Sequence, residues 1–124
     1  MSFLVLKAYL KLIQFDRYLS RGSFSALYIK VRDYPISRDG ASSDDVARLS
    51  SAMDSACIWY WKQVLCLQRS AATVCFLKQH GVPAQLVIGA QQTPFKAHAW
   101  VEVSGRVIGD KAYVPDVFHV LARS

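Results

Sequence analysis

Cys66, His98 and Asp110 are the residues of this chain whose types and order could together perform nucleophilic chemistry. A thiol attacks a carbonyl as its thiolate, and a helix N-terminus favours that anion through the partial positive charge of its unpaired amides. Cys66 stands where a helix is expected to begin. An imidazole within reach of the sulfur would take the thiol proton and return it to a leaving amine, and His98 is expected at the start of a strand. A carboxylate on the other ring nitrogen would fix the tautomer and steady the imidazolium, a task for Asp110 at the end of the next strand. The Cys66 amide is a natural donor to an oxyanion. Trp61 and Gln63 stand near enough in sequence to offer a second, but both have ordinary structural uses and neither is placed in the site. Taken singly, a cysteine at a helix start, a histidine in a strand and an aspartate after one are usually structural. Their order along the chain is what favours catalysis.

A hairpin register constrains the second pair. His98 and Asp110 face each other directly when 98 pairs with 110 and 102 with 106, which leaves Val103, Ser104 and Gly105 as the loop. A three-residue loop commonly ends in a left-handed residue, and Gly105 occupies that place. A two-residue loop of Ser104 and Gly105 would instead pair Ala99 with Asp110 and send the carboxylate to the face opposite His98. Membership of Asp110 in a triad is therefore expected to depend on the longer loop.

Periodicity supplies the elements that must hold these residues. Leu67, Ala71, Val74, Cys75 and Leu77 give a helix from Cys66 to His80 its apolar face; Gly81 suits the left-handed position after it, and Pro83 forbids continuation. Cys75 lies about two and a half turns beyond Cys66, on the opposite side, and is expected to be buried. His80 is expected to interact with the C-terminus of its own helix, and His119 has no evident partner. Past Pro83 the period shortens to three β-rich runs, 84–90, 97–103 and 106–110. Upstream, Met1 to Ser20 is apolar, but Lys7, Lys11, Gln14, Arg17 and Arg21 recur at steps of three or four. This predicts an amphipathic helix that packs on the chain's own core in preference to a partner or a membrane. Gly22 and Ser23 break it, and a loop with short pieces follows through Pro35, Asp39 and Gly40. Ser43 or Asp44 can cap a further helix from about Asp45 to Ile58 or beyond, with Val46, Leu49, Met53, Cys57 and Trp61 along one side. The rings of Trp59, Tyr60 and Trp61 could stack bases, but only Lys62 and Arg69 are near to hold phosphate, so core packing is the expected use. The fold class expected is α+β: N-terminal helices, then a helix carrying the nucleophile packed on a small antiparallel sheet.

At 124 residues the chain fits one domain, 1–124, with 1–50 a helical N-terminal region and 64–112 the candidate catalytic core. Hydrophobic residues at 52% exclude a disordered chain despite a net charge of +6. That charge favours acidic partners without choosing among them, and solubility alone would account for it. Three cysteines cannot all pair, and their even spacing matches no zinc knuckle. Neither a disulfide framework nor a metal is expected, no cofactor or nucleic acid is implied, and a cytoplasmic location is. Charges within the first twenty or so residues interrupt any apolar run that could span a membrane or serve as a secretory signal, so no stable membrane insertion is expected.

The segments Cys66-Leu67-Gln68-Arg69-Ser70, Gly81-Val82-Pro83-Ala84, Ala97-His98-Ala99-Trp100-Val101-Glu102 and Gly109-Asp110 together resemble the transglutaminase-like cysteine peptidases of lasso-peptide biosynthesis. The resemblance covers about residues 64–112 and does not extend over 1–50. It implies a transglutaminase-like or papain-like core, triad roles for Cys66, His98 and Asp110, and removal of a leader peptide from a ribosomally made precursor. It also implies a macrolactam synthetase that acts on the cleaved peptide. In that family a small recognition protein presents the leader. A separate one is expected here in place of a fused one, with the first helix and the positive charge as its docking surface.

Two other functions fit the same residues. An acyl-enzyme at Cys66 resolved by an amine would make a transglutaminase-type acyltransferase. A non-catalytic peptide-binding module would bury Cys66 as an inert thiol, and labelling of that thiol discriminates it.

Overall fold

Ala71, Ala72, Val74, Cys75, Phe76 and Leu77 are all fully buried, which makes one helix the centre about which the other elements pack. In the computed structural model it is α4 (Cys66–Gln79), preceded by α1 (Phe3–Arg21), α2 (Phe24–Arg32) and α3 (Ser43–Trp59). It is followed by β1 (Ala84–Gln92), β2 (Phe95–Val103), β3 (Arg106–Ile108), α5 (Val114–Val117) and β4 (His119–Arg123). The structure describes residues 3–21, 24–37, 43–61, 64–92, 95–110 and 114–124. The breaks at Gly22 and Ser23, the loop around Asp39 and Gly40, Lys62 and the candidate donor Gln63 lie outside what is described, as do the side chains of the cap candidates Ser43 and Asp44, whose backbone already belongs to α3. The strands form an antiparallel sheet in the order β3-β2-β1-β4. This is the α+β architecture expected.

α4 ends as its sequence requires. His80 closes it, Gly81 adopts φ +87°, and the amides of His80, Gly81 and Val82 bond back to Leu77 and Lys78. The His80 ring lies 2.9 Å from the Phe76 carbonyl, in the terminal turn where it was expected. Cys75 is buried on the side away from Cys66, and burial pushes its thiol up to about 11. One sheet face, with Leu86, Ala99 and Val101, packs on the helices; Val87, Trp100 and Val114 form a smaller cluster on the other.

Four expectations need correction. The first helix buries Ala8, Leu12 and Phe15 against the core, as expected, but its polar stripe does not by itself make the solvent face: Arg17 is exposed, whereas Lys7, Lys11 and Gln14 are half-buried. Lys11 turns sideways to donate to the Tyr34 hydroxyl at 2.8 Å, while Phe3, Leu6 and Leu10 are exposed. Burial of Leu12 and Phe15 is worth about 1.5–3 kcal/mol each, so this helix cannot be removed as a mere docking arm. Second, the stretch expected as loop with short pieces contains α2, whose Leu27 and Val31 are fully buried. Its terminal carbonyls, at Val31 and Arg32, are satisfied by the buried Lys78 ammonium of α4. Third, the aromatic run does not pack inward: Tyr60 is buried, but Trp59 is 67% and Trp61 71% exposed. Consecutive residues cannot all face one side of a helix end. Fourth, the sheet has a fourth strand, opened by His119 opposite Ala90. Among the described residues no helix is long and apolar enough to cross a membrane.

Candidate active site

Cys66 is the first residue of α4 and is exposed. The residue before it, Leu65, is extended and offers no side-chain cap, and no acidic residue stands in the first turn. The leading amides of α4 are therefore not capped by Leu65, the arrangement that favours an anion at a helix start. One turn on, the buried Ser70 donates to the Ala99 carbonyl at 3.0 Å and pins this end of the helix to β2. Gln68, also buried, donates to the Leu12 carbonyl at 2.9 Å and ties the same turn to α1. Both belong to the segment that carries the family resemblance, but nothing in the sequence assigned either residue this anchoring task.

β3 is short, and this shapes the site. It pairs with β2 only from Val101 to Val103, so among the described residues no strand pairs with the preceding part of β2, His98 included, on that side. His98 is the fourth residue of β2, not the first as expected. Its ring lies with those of Trp100 and Phe118, at centroid distances of 5.9 and 5.2 Å, on the face away from the helices. Cys66 and His98 share the walls of two cavities. One, of about 290 Å³, is also lined by Arg69, Ser70, Trp100 and Asp110. The other, of about 200 Å³, is a shallow site also lined by Leu67, Ile88, Ala97 and Ala99 and is almost wholly apolar.

His98 Nε2 lies 2.6 Å from Asp110 Oδ2. The contact forms although the expected register does not. The hairpin pairs Val103 with Arg106 and Val101 with Ile108, a two-residue turn of Ser104 and Gly105. Both turn residues have positive φ, +51° and +79°, the primed geometry that matches strand twist. Continued alternation would carry Asp110 to the helix-facing side. It does not continue: β3 stops at Ile108, Gly109 adopts φ +72°, and the chain turns the carboxylate to the imidazole. The condition placed on Asp110 was mistaken; the glycine that matters for it is Gly109.

The Nε2 bond leaves Nδ1 as the ring atom available to a thiol. Among the described residues no hydrogen bond joins Cys66 to the ring, and such bonds often tighten only when substrate closes the site. Arg69 pairs with Asp54 beside the larger cavity. Cys57, half-buried, has its thiol pushed up by burial, against the opposing charge of Arg69. Among the described residues no group of three or more His, Cys, Asp or Glu side chains could hold a metal ion.

The sequence model of the transglutaminase-like superfamily matches residues 9–123. The chain is similar to the microcin J25-processing protein McjB of Escherichia coli, 42% identical over 57 residues, which is 46% of this chain and 27% of that protein. The shared stretch is thus well under two thirds of the relative's length. No solved structure matches the chain.

Proposed function

Because the chain belongs to the transglutaminase-like superfamily, we propose that it is a cytoplasmic cysteine peptidase that removes the leader from a ribosomally made lasso-peptide precursor. Cys66 is the nucleophile, His98 the general base and acid, and Asp110 the carboxylate that orients the imidazole. The observation that carries this is the 2.6 Å His98–Asp110 contact beside cavities that Cys66 also lines. The similarity to a microcin-processing protein supports the choice of a peptide precursor as substrate.

Asp110 favours the tautomer with its proton on Nε2, donated to the carboxylate, and leaves Nδ1 to take the Cys66 proton. The sulfur adds to the scissile carbonyl carbon, and the oxyanion faces the leading amides of α4, the Cys66 N–H among them. Collapse breaks the C–N bond as the imidazolium returns its proton to the departing amine. Water, deprotonated by the same imidazole, then hydrolyses the thioester and regenerates the thiol.

The precursor reaches this site through a separate leader-recognition protein, for which the exposed Phe3, Leu6 and Leu10 of α1 offer a contact surface. The freed peptide passes to a macrolactam synthetase. The test is precursor cleavage by wild type, Cys66→Ala and His98→Ala, each with and without a recognition protein, followed by mass spectrometry. A product heavier by one water, lost in Cys66→Ala, is expected. Cleavage retained by Cys66→Ala refutes the mechanism, and a product joined to an added amine assigns acyl transfer instead.

A further inference from the structure

The face of the sheet that carries His98 also carries a buried carboxylate that the proposed chemistry does not use. Glu102 is 3% exposed. Its Oε2 accepts from the Trp100 indole N–H at 2.9 Å, and both of its oxygens accept from the Arg123 guanidinium, at 3.1 and 3.3 Å. Arg123 stands on β4 opposite Val87, and Val87 stands opposite Trp100, so the guanidinium reaches across β1 to hold a residue of β2. Burial of Glu102 works against its charge, but the hydrogen bonds from Arg123 and Trp100 and the charge of Arg123 outweigh it and keep the carboxyl below its usual range.

Trp100 is 1% exposed and is located on two further sides. Its indole lies against Gly89, where an added Cβ would come within 2.7 Å of Cη2. Its ring and that of Phe118, 6.4 Å apart, both stack against His98. Asp110 fixes one edge of the imidazole but not the plane of the ring; the two aromatic rings supply that plane.

We propose that Glu102 is a positioning residue: by holding the Trp100 indole through its N–H, with Arg123 as counter-ion, it sets the surface on which the His98 ring lies and so aims Nδ1 at Cys66. This rests on His98 acting on the Cys66 thiol. A satisfied structural ion pair would have no reason to affect that thiol, which gives the proposal its test. Among the described residues, the charged and titratable groups around His98 are Asp110, Cys66 and Arg69 at the cavity, with Glu102 and Arg123 behind Trp100.

The experiment is the rate of Cys66 alkylation by iodoacetamide as a function of pH, read by mass spectrometry of the intact chain, with circular dichroism melting as the control for folding. His98→Ala gives the profile of a thiol without its base. Glu102→Leu, which frees the indole, is expected to move the profile toward that limit, by about tenfold in rate near pH 6.5 for a one-unit displacement. Glu102→Gln keeps an acceptor for the indole N–H and is expected to lie nearer wild type. A Glu102→Leu profile that superimposes on wild type while His98→Ala is displaced overturns the proposal, as does a Glu102→Gln profile displaced as far as Glu102→Leu. If Glu102→Leu does not fold, Trp100→Phe, which keeps a ring but loses the N–H, is read by the same criterion. Coincidence of His98→Ala with wild type removes the catalytic role of His98, and this inference with it, and that result differs from failure at Glu102 alone.

Discussion

Gly105 and Gly109 have nearly the same backbone conformation, φ +79° and +72°, but only Gly109 stands next to a candidate site residue. Alanine at either position meets no steric obstacle. Nothing lies within 4 Å of an added Cβ at 105, and at 109 the nearest atoms, on Arg69 and Ser50, are at 3.6 and 3.7 Å. The penalty at both is therefore the left-handed backbone itself, about 1–2 kcal/mol. Each variant is expected to melt lower by roughly 3–10 °C, taking about 3–5 °C per kcal/mol for a chain of this size. Their activities should part. Gly105→Ala can relieve its strain within an exposed turn. Gly109→Ala relieves it by letting the backbone leave the left-handed region, which withdraws Asp110 from Nε2. The same 1–2 kcal/mol shifts the balance between carboxylate in place and carboxylate withdrawn by about 5–30-fold, and cleavage falls by up to that factor. Gly109→Asn, which tolerates positive φ, should recover much of both. Precursor cleavage and thermal melting of the three variants side by side measure this. Equal melting losses with cleavage in Gly109→Ala within about twofold of Gly105→Ala would refute the role given to Gly109.

Ser104 is the non-glycine residue described at positive φ, in a turn that prefers Asn followed by Gly, so Ser104→Asn should raise the melting temperature by about 2–4 °C and leave cleavage unchanged. Cys75, whose thiol is raised from 9.0 to about 11, binds its proton more tightly folded than unfolded. Its contribution to stability is complete below pH 9 and is lost as pH rises through the folded value; Cys75→Ala should flatten the decline in urea stability across that window, and a slope identical to wild type would contradict it. Glu102 has the opposite sign. Its carboxyl is held below 4.5, so the stability it contributes is present above that pH and is lost as pH falls through the folded value. Urea unfolding between about pH 3 and 6 should show a shallower acid slope in Glu102→Gln than in wild type.

What the sequence made legible was local. α4 could be delimited because its stop signal, Gly81 and Pro83, is a matter of backbone conformation at adjacent residues, and the helix ends there. Burial of Cys75 followed from helical period alone. α2 was missed because what satisfies its C-terminal carbonyls is Lys78, more than forty residues on, and a lysine inside another helix carries no local sign of that task. β4 was missed for a like reason: a five-residue run with alternate burial becomes a strand because β1 has a second edge to offer. Trp59 and Trp61 were assigned to the core from composition, but the end of α3 can turn only some of a consecutive apolar run inward, and Tyr60 is the ring that goes. The aromatic support of His98 was invisible for both reasons, since Phe118 reaches it only through β4.

The pairing of His98 with Asp110 is the instructive case, because an incorrect register led to a correct contact. One residue inserted anywhere between two antiparallel positions reverses which face the second presents. The insertion expected was a third loop residue ending in Gly105. In its place the loop has two residues, and the reversal occurs at Gly109, after β3 has ended. Both routes place the carboxylate on the histidine's side, and both need a glycine in a left-handed conformation, which the sequence supplies at 105 and again at 109. They differ in what they do to β2. A three-residue loop with a continuing strand would have paired β3 along β2 as far as His98 and covered that edge with backbone. With the short turn and early break, no described strand pairs with that edge, and the Ala99 carbonyl accepts from Ser70 of α4. The larger cavity is lined by Cys66 of α4, by His98 to Val101 of β2, and by Ile108, Gly109 and Asp110, the residues at which β3 breaks off.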